Sequence, residues 1–114
     1  MSRARAEALL WLAQRASAAV LGVWVPIHLV TIVAAVRGGL SATEILERTQ
    51  GSAAWAVYYA VFVLAVSIHA PIGLRTVARE TLGWRGPGLE LATLAAGVAL
   101  ALFGWRAVAG LVMA

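Results

Sequence analysis

The chain has 114 residues, of which 62% are hydrophobic and only 12% are charged. Soluble domains carry roughly a quarter charged residues, so this chain has too few polar side chains to cover a soluble domain of its size. Its net charge of +4 comes from arginines that flank apolar runs without forming a patch, which excludes a nucleic-acid-binding protein. Cysteine is absent, which excludes disulfides and cysteine-ligated metals within the chain.

Three apolar runs predict three membrane-spanning helices, over residues of about 16–36, 52–74 and 91–112. The N-terminus, Met1–Ala16, begins like a secretory signal peptide, but the run that follows is too long for one and lacks a small-residue cleavage site. We therefore expect a retained first span. We expect an all-α membrane protein of one domain, with its three spans in an up-down-up bundle.

The two loops carry different signals. Ser41–Glu44 has a capping-box pattern, which is compatible with a short interfacial helix through Gln50 or with an irregular polar loop. Gly86-Pro87-Gly88 predicts a break before the third span. That span is rich in alanine, glycine and leucine, which suits close helix packing in lipid.

Arginine asymmetry predicts the orientation of the chain. Arg3, Arg5, Arg15, Arg75, Arg79 and Arg85 lie on one side of the membrane, and Arg37, Arg48 and Arg106 lie on the other. The N-terminus and the second loop should therefore face the cytoplasm across a bacterial inner membrane, or the matrix in a mitochondrion.

The only two histidines of the chain, His28 and His69, both fall inside predicted spans. An ionisable side chain at membrane depth is costly, so each is a functional candidate; the alternative is a hydrogen bond to a neighbouring helix. A neutral imidazole is a standard axial ligand of haem iron. Antiparallel pairing of the first two spans places His69 roughly 12 Å deeper than the level of His28. Two ligands of one iron need the same depth, so this favours two cofactors, each with a second ligand from another chain.

Helical periodicity gathers polar residues on one face of each of the first two spans. The face of the first span consists of Gln14, Ser17, Leu21, Trp24, His28 and Thr31, and that of the second consists of Tyr58, Phe62, Ala65, His69, Gly73 and Thr76. Both faces should point into protein. Gly73, one turn beyond His69, leaves room either for a flat macrocycle or for close helix packing.

Polar residues also cluster where the first span enters the membrane. Arg15 and Arg75 are placed to bind haem propionates through their guanidinium forks, or they are ordinary flanking charges. Hydrogen-bonding side chains beside an apolar slot suit a quinone headgroup, and a carboxylate at the edge can exchange its protons. The candidate quinone residues are Trp11, Gln14, Arg15, Ser17 and Glu80.

Two segments resemble motifs of the membrane-anchor (cytochrome b) subunits of succinate dehydrogenase and fumarate reductase. Trp11–Ala18 is similar to the Gln-Arg-x-(Ser/Thr) segment that opens the first span in that family. His69–Arg75 is similar to the His-x-x-x-Gly-(Ile/Leu)-Arg segment of the second span. The length and three-span layout also match over nearly the whole chain.

The resemblance implies a function in electron transfer. It implies that His69 ligates a b-type haem, that Arg15 lies near the propionates and the quinone, and that His28 ligates a distal haem, giving one or two haems per complex. The implied partners are a flavoprotein subunit, an iron–sulfur subunit and a second anchor chain. The quinone-binding tyrosine of related anchors is replaced by Thr81.

Two other classes of protein have comparable features. A small multidrug-type transporter has a similar length, but it needs a buried carboxylate for proton coupling and no Asp or Glu lies inside a predicted span. A cofactor-free structural subunit of a membrane complex would differ from the electron-transfer subunit by lacking a haem spectrum. Nothing in the chain is suited to bind flavin or a dicarboxylate, so we expect a non-catalytic subunit.

Overall fold

The structure is a computed structural model, and it describes residues 2–113. Over that range the chain forms four helices and no strand: α1 (Arg3–Arg37), α2 (Ala42–Thr49), α3 (Ala53–Thr81) and α4 (Pro87–Val112). The helices α1, α3 and α4 are long and apolar enough to cross a membrane. The predicted all-α fold with three spans is confirmed.

Helix α3 lies in the middle of the bundle, with α1 packed on one side and α4 on the other. Successive long helices run in opposite directions, as the up-down-up prediction requires. The molecule is 49 Å long, whereas the hydrocarbon of a bilayer is about 30 Å thick, so the bundle extends past the apolar layer. We call the end that holds the start of α1, the end of α3 and the start of α4 the N-terminal end.

All three long helices extend beyond their predicted spans at the N-terminal end: α4 begins at Pro87, and α1 and α3 extend further. Helix α1 begins at Arg3, where the Ser2 hydroxyl caps it by accepting from the backbone N–H of Arg5, and α3 continues to Thr81. Hydropathy marks only the apolar part of a helix, whereas backbone hydrogen bonds continue until a cap or breaker ends them. The extensions carry charged side chains of α1 and α3 above the apolar layer.

The loop between the first two spans forms the short helix α2, which is one of the two alternatives that the sequence allows. Ser41 and Glu44 form both hydrogen bonds of a capping box at the start of α2. At the other end of α2 the Thr49 hydroxyl donates to the carbonyl of Leu111 at 2.7 Å. The N–H of Gly51 donates to the carbonyl of Val112 at 2.8 Å. These bonds satisfy carbonyls that the last turn of α4 leaves free. Helix α2 therefore closes the bundle opposite the N-terminal end.

Helices α3 and α4 approach closely at two glycines of α4. A Cβ on Gly104 would lie 2.6 Å from a methyl of Val63, and one on Gly97 would lie 3.1 Å from Cγ of Pro71 and 3.3 Å from the carbonyl oxygen of Ser67. Because Pro71 has no N–H, that carbonyl lacks its helical partner, and the bare Gly97 backbone packs against it. Small residues thus allow the close packing that the composition of the third span predicts.

The substitution Gly104→Ala should destabilise the bundle, because valine is stiff at χ1 and its methyls cannot rotate away from the new Cβ. The matched control is Gly110→Ala on the same helix, where a Cβ would meet nothing within 4 Å. Both variants gain the same helix propensity, so their difference reports the clash. We expect Gly104→Ala to be less stable by about 1–3 kcal/mol in thermal unfolding of the full chain in detergent. Equal stability of the two variants would contradict this packing.

Candidate functional site

His69 lies on α3 against Ser17, a buried residue of α1. The histidine Nδ1 is 3.4 Å from the serine Oγ, a long hydrogen bond. The single hydroxyl proton of Ser17 is already donated to the backbone carbonyl of Gln14 at 3.1 Å, so Ser17 accepts from His69. When the neutral imidazole carries its proton on Nδ1, this arrangement leaves the lone pair of Nε2 for a metal.

His28 lies on α1 in an aromatic setting. Its ring meets Tyr59 and Phe62 edge-on, with ring centroids 5.8 Å and 5.2 Å away. Its Nδ1 is buried and has no hydrogen-bond partner among residues 2–113. A buried polar atom without a partner carries a desolvation cost, which a ligand or a neighbouring chain can offset.

The two histidines occupy different levels of the bundle. Along α1, His28 comes eleven residues after Ser17, the neighbour of His69; along α3, His69 comes seven residues after Phe62, the neighbour of His28. At the helical rise these separations are about 16 Å and 10 Å, so one iron cannot reach both side chains. Within residues 2–113, no group of three or more His, Cys, Asp or Glu side chains is arranged to hold a metal ion. Each of the two levels therefore holds one histidine of this chain.

A reciprocal pair of hydrogen bonds fixes α1 against α3 one turn from His28. The indole N–H of Trp24 donates to the carbonyl of Tyr58 at 2.9 Å, and the hydroxyl of Tyr58 donates to the carbonyl of Trp24 at 2.7 Å. The two rings stack with 5.8 Å between centroids. Periodicity placed both residues on inward faces, which is correct, but it gave no sign of the reciprocal bonding that sets the level of His28.

A cleft of about 320 Å³ opens between α1 and α3 at the N-terminal end. Its lining consists of Glu7, Leu10, Trp11, Gln14, Arg15, Ile72, Arg75 and Thr76. We call it the N-terminal cleft. Four predicted site residues meet there: Trp11, Gln14, Arg15 and Arg75. The guanidinium of Arg15 lies over the Trp11 ring at 5.2 Å, a cation–π contact. The volume of the N-terminal cleft is at the lower end of the range for small-molecule pockets.

The other two predicted quinone residues lie outside the lining of the N-terminal cleft. Ser17 is one turn deeper, buried against His69. Glu80 is exposed and lies one turn beyond Thr76, the lining residue at the outer edge. Ser17, which contacts His69, is thus not part of the N-terminal cleft.

Gln14 links the cleft to the level of His69. Its Nε2 would lie 3.4 Å from a Cβ on Gly73, which is ordinary contact distance, so the glutamine side chain packs across this glycine. Its Oε1 is buried and lacks a hydrogen-bond partner among the described residues. Gln14 therefore packs beside Gly73 and presents an acceptor oxygen with unused capacity.

Arg75 joins all three long helices. Its Nε donates to both carboxylate oxygens of Glu90 on α4, at 2.9 Å and 3.1 Å, and an Nη donates to Glu7 on α1 at 2.9 Å. Arg79 lies 3.5 Å from the same oxygen of Glu7. The hydrogen bond and the charge of Arg75 hold the pKa of the Glu7 carboxyl below its usual value. Two carboxylates thus compensate the charge of Arg75.

Sequence reasoning missed Glu7 and Glu90 as functional positions. Both lie outside the predicted apolar runs, and they reach Arg75 across separations of 68 and 15 residues. A usable signal was available: each carboxylate lies near the start of a helix whose neighbour in the bundle ends in arginines. Antiparallel packing brings those ends together.

The comparison with known protein families agrees with this architecture. The family described as succinate dehydrogenase/fumarate reductase transmembrane subunit matches residues 1–110 of the chain. A search of curated proteins and a search of solved structures gave no significant match. The match covers nearly the whole chain and includes the three apolar helices, both histidines and the N-terminal cleft. The chain therefore belongs to the family of succinate dehydrogenase/fumarate reductase transmembrane subunits.

Proposed function

We propose that the chain carries electrons as well as anchoring its complex, with His69 binding a b-type haem and the N-terminal cleft receiving a quinone headgroup. The observation that carries the proposal is the contact between Nδ1 of His69 and the Oγ of Ser17. Ser17 contacts the imidazole at Nδ1, so Nε2 is available as a ligand atom in a fixed orientation. When bound, haem supplies reversible one-electron transfer. The family match supports the membrane subunit of such a complex.

The proposed complex contains a flavoprotein subunit, an iron–sulfur subunit and a second membrane-anchor chain. A single histidine at each level supports this, since the second axial position of an iron is left to another chain. We place the complex in a bacterial cytoplasmic membrane with the N-terminal end facing the cytoplasm, because six of the nine arginines lie on that side. Soluble partners there would deliver electrons from succinate, or accept them for fumarate reduction.

The proposed quinone site combines an aromatic wall, a cation and an acceptor. Trp11 offers a flat face, and Arg15 is held over it as a donor to a quinone oxygen. The unused Oε1 of Gln14 is suited to accept a hydrogen bond from the reduced ring. Arg15 is the better candidate than Arg75 for a quinone oxygen or a haem propionate, because two carboxylates already occupy Arg75. Glu80 would exchange protons with water at the rim.

His69→Ala should remove from the reduced-minus-oxidised spectrum of the assembled complex the b-type component that belongs to the haem of His69, because an alanine has no ligand atom. Ser17→Ala keeps the imidazole but removes the acceptor of Nδ1, and we expect it to weaken haem retention by about 10–100-fold. Assembly of both variants is checked by co-purification of the partner subunits. An unchanged b-type signal in His69→Ala would contradict the assignment of His69 as a haem ligand, and the absence of any b-type signal in the unmodified complex would favour the cofactor-free structural subunit.

His28→Ala should remove a second haem while the haem of His69 stays. The reason is the separation of the two levels, together with the buried, unpartnered Nδ1 of His28. The measurement is the ratio of haem to protein in the purified complex, with redox titration to resolve two b-type components. A ratio of one haem per complex that His28→Ala does not reduce would return His28 to a packing function beside Tyr59 and Phe62.

Arg15→Ala should lower quinone reduction by about 10-fold or more, the effect expected for losing a hydrogen bond from a charged donor. Succinate oxidation with an artificial soluble acceptor should remain, because that reaction does not reach the cleft. The matched control is Arg106→Ala at the opposite end of the bundle. Haem content is measured in each variant. Unchanged quinone reduction with haem retained would place the quinone elsewhere, and parallel loss of both activities would make Arg15 an assembly residue.

A further inference from the structure

A second polar cavity lies at the N-terminal end, beside α4. It has a volume of about 400 Å³, and its lining consists of Arg3, Glu7, Arg75, Arg79, Arg85, Gly86, Leu89 and Glu90. We call it the arginine basin. Four guanidinium groups face two carboxylates there, and both carboxylates are engaged by Arg75. Within residues 2–113, Arg3 and Arg85 form no ion pair. The basin therefore keeps an excess of positive charge.

An apolar groove continues from the basin along α3 and α4. Its volume is about 430 Å³, and its membrane-depth lining includes Pro71, Thr93, Leu94, Gly97, Val98 and Ala101. We call it the α3–α4 groove. Arg75 and Glu90 line both the basin and the groove, so the two cavities meet at that ion pair. From Glu90 to Ala101 the groove descends about 16 Å, close to the hydrocarbon thickness of one bilayer leaflet.

We propose that the basin and the groove together bind one anionic phospholipid, with its phosphate among Arg3, Arg79 and Arg85 and an acyl chain along the α3–α4 groove. A guanidinium is well suited to a phosphate, since its planar donors match the phosphate oxygens. Two small residues of α4, Gly97 and Ala101, line the depression that the acyl chain fills. The site lies on the α4 side of Arg75. The basin shares Glu7 and Arg75 with the N-terminal cleft, but none of the three arginines proposed for the phosphate lines that cleft.

The charge of the basin selects this ligand over the alternatives. A quinone is neutral and would leave the excess of arginines uncompensated. Free phosphate matches the charge but leaves the adjoining groove unfilled. A zwitterionic phospholipid fits the groove but brings its own cation to an already cationic basin. Only an amphipathic anion complements both parts of the cavity.

The test uses the full chain in neutral detergent, with thermal unfolding followed by circular dichroism. Phosphatidylglycerol, phosphatidylcholine and inorganic phosphate are added separately. We expect phosphatidylglycerol to raise the apparent Tm, with little effect of phosphatidylcholine or of phosphate. Arg3→Gln combined with Arg85→Gln should weaken the apparent affinity for phosphatidylglycerol on the order of 10-fold. The control, Arg37→Gln combined with Arg48→Gln, removes the same charge at the opposite end and should keep the response.

A second pair of variants tests the groove without changing charge. Val98 lines the groove and is half exposed, so Val98→Trp should fold and narrow the groove. Leu100→Trp is the control on the same helix, outside the lining. We expect Val98→Trp to lose most of the phosphatidylglycerol response and Leu100→Trp to keep it. Equal responses in both arginine double variants, or stabilisation by inorganic phosphate that matches phosphatidylglycerol, would overturn the proposal.

Discussion

The organisation of this molecule follows from the cost of polar atoms in hydrocarbon. Lipid tails satisfy no hydrogen bonds, so a polar side chain inside a span is costly unless the protein, a ligand or a neighbouring chain supplies a partner. The polar residues of α1 and α3 consequently face one another, and the reciprocal bonds of Trp24 and Tyr58 fix the register of the two helices. With the register fixed, Ser17 comes level with His69, and His28 comes level with Phe62.

The central helix has two different interfaces. Towards α1 it presents tyrosines and a histidine, and the buried contacts there are hydrogen bonds and aromatic pairs. Towards α4 it packs against glycines, and the contacts are those of backbone with small side chains. Close packing against α4 gives α3 a rigid support. The polar interface with α1 can then hold single histidines in defined orientations, as a redox ligand requires.

Three buried polar atoms remain without partners among the described residues: Oε1 of Gln14, Nδ1 of His28 and Oγ of Ser67. Two of them belong to residues that the sequence assigns to cofactor or quinone binding. A membrane subunit that works within a complex is expected to keep unused hydrogen-bonding capacity where ligands or neighbouring chains meet it. Ser67 lines the α3–α4 groove together with Pro71. Because Pro71 has no N–H, the backbone carbonyl of Ser67 also lacks its helical partner.

Much of this arrangement could be predicted from the sequence, because spans and faces depend on hydropathy and periodicity. The inward face of α1 and the different levels of His28 and His69 follow from the helical repeat alone. The lengths of α1 and α3 could not be predicted in this way, because hydropathy does not distinguish a charged helical turn from a loop. The pairing of Arg75 with Glu7 and Glu90 was equally hidden, because it depends on which helix ends meet in three dimensions.

Arg75 connects the three cavities at the N-terminal end of the bundle. It lies between the N-terminal cleft, the arginine basin and the α3–α4 groove, and it lines all three. Only 14% of its side chain is exposed, and removing it would leave Glu7 and Glu90 without their shared partner. Loss of function on substitution of Arg75 would therefore not identify a ligand of Arg75, since all three cavities would change together. Arg15 and the pair Arg3 and Arg85 each border one cavity, so their effects can be assigned to a single site.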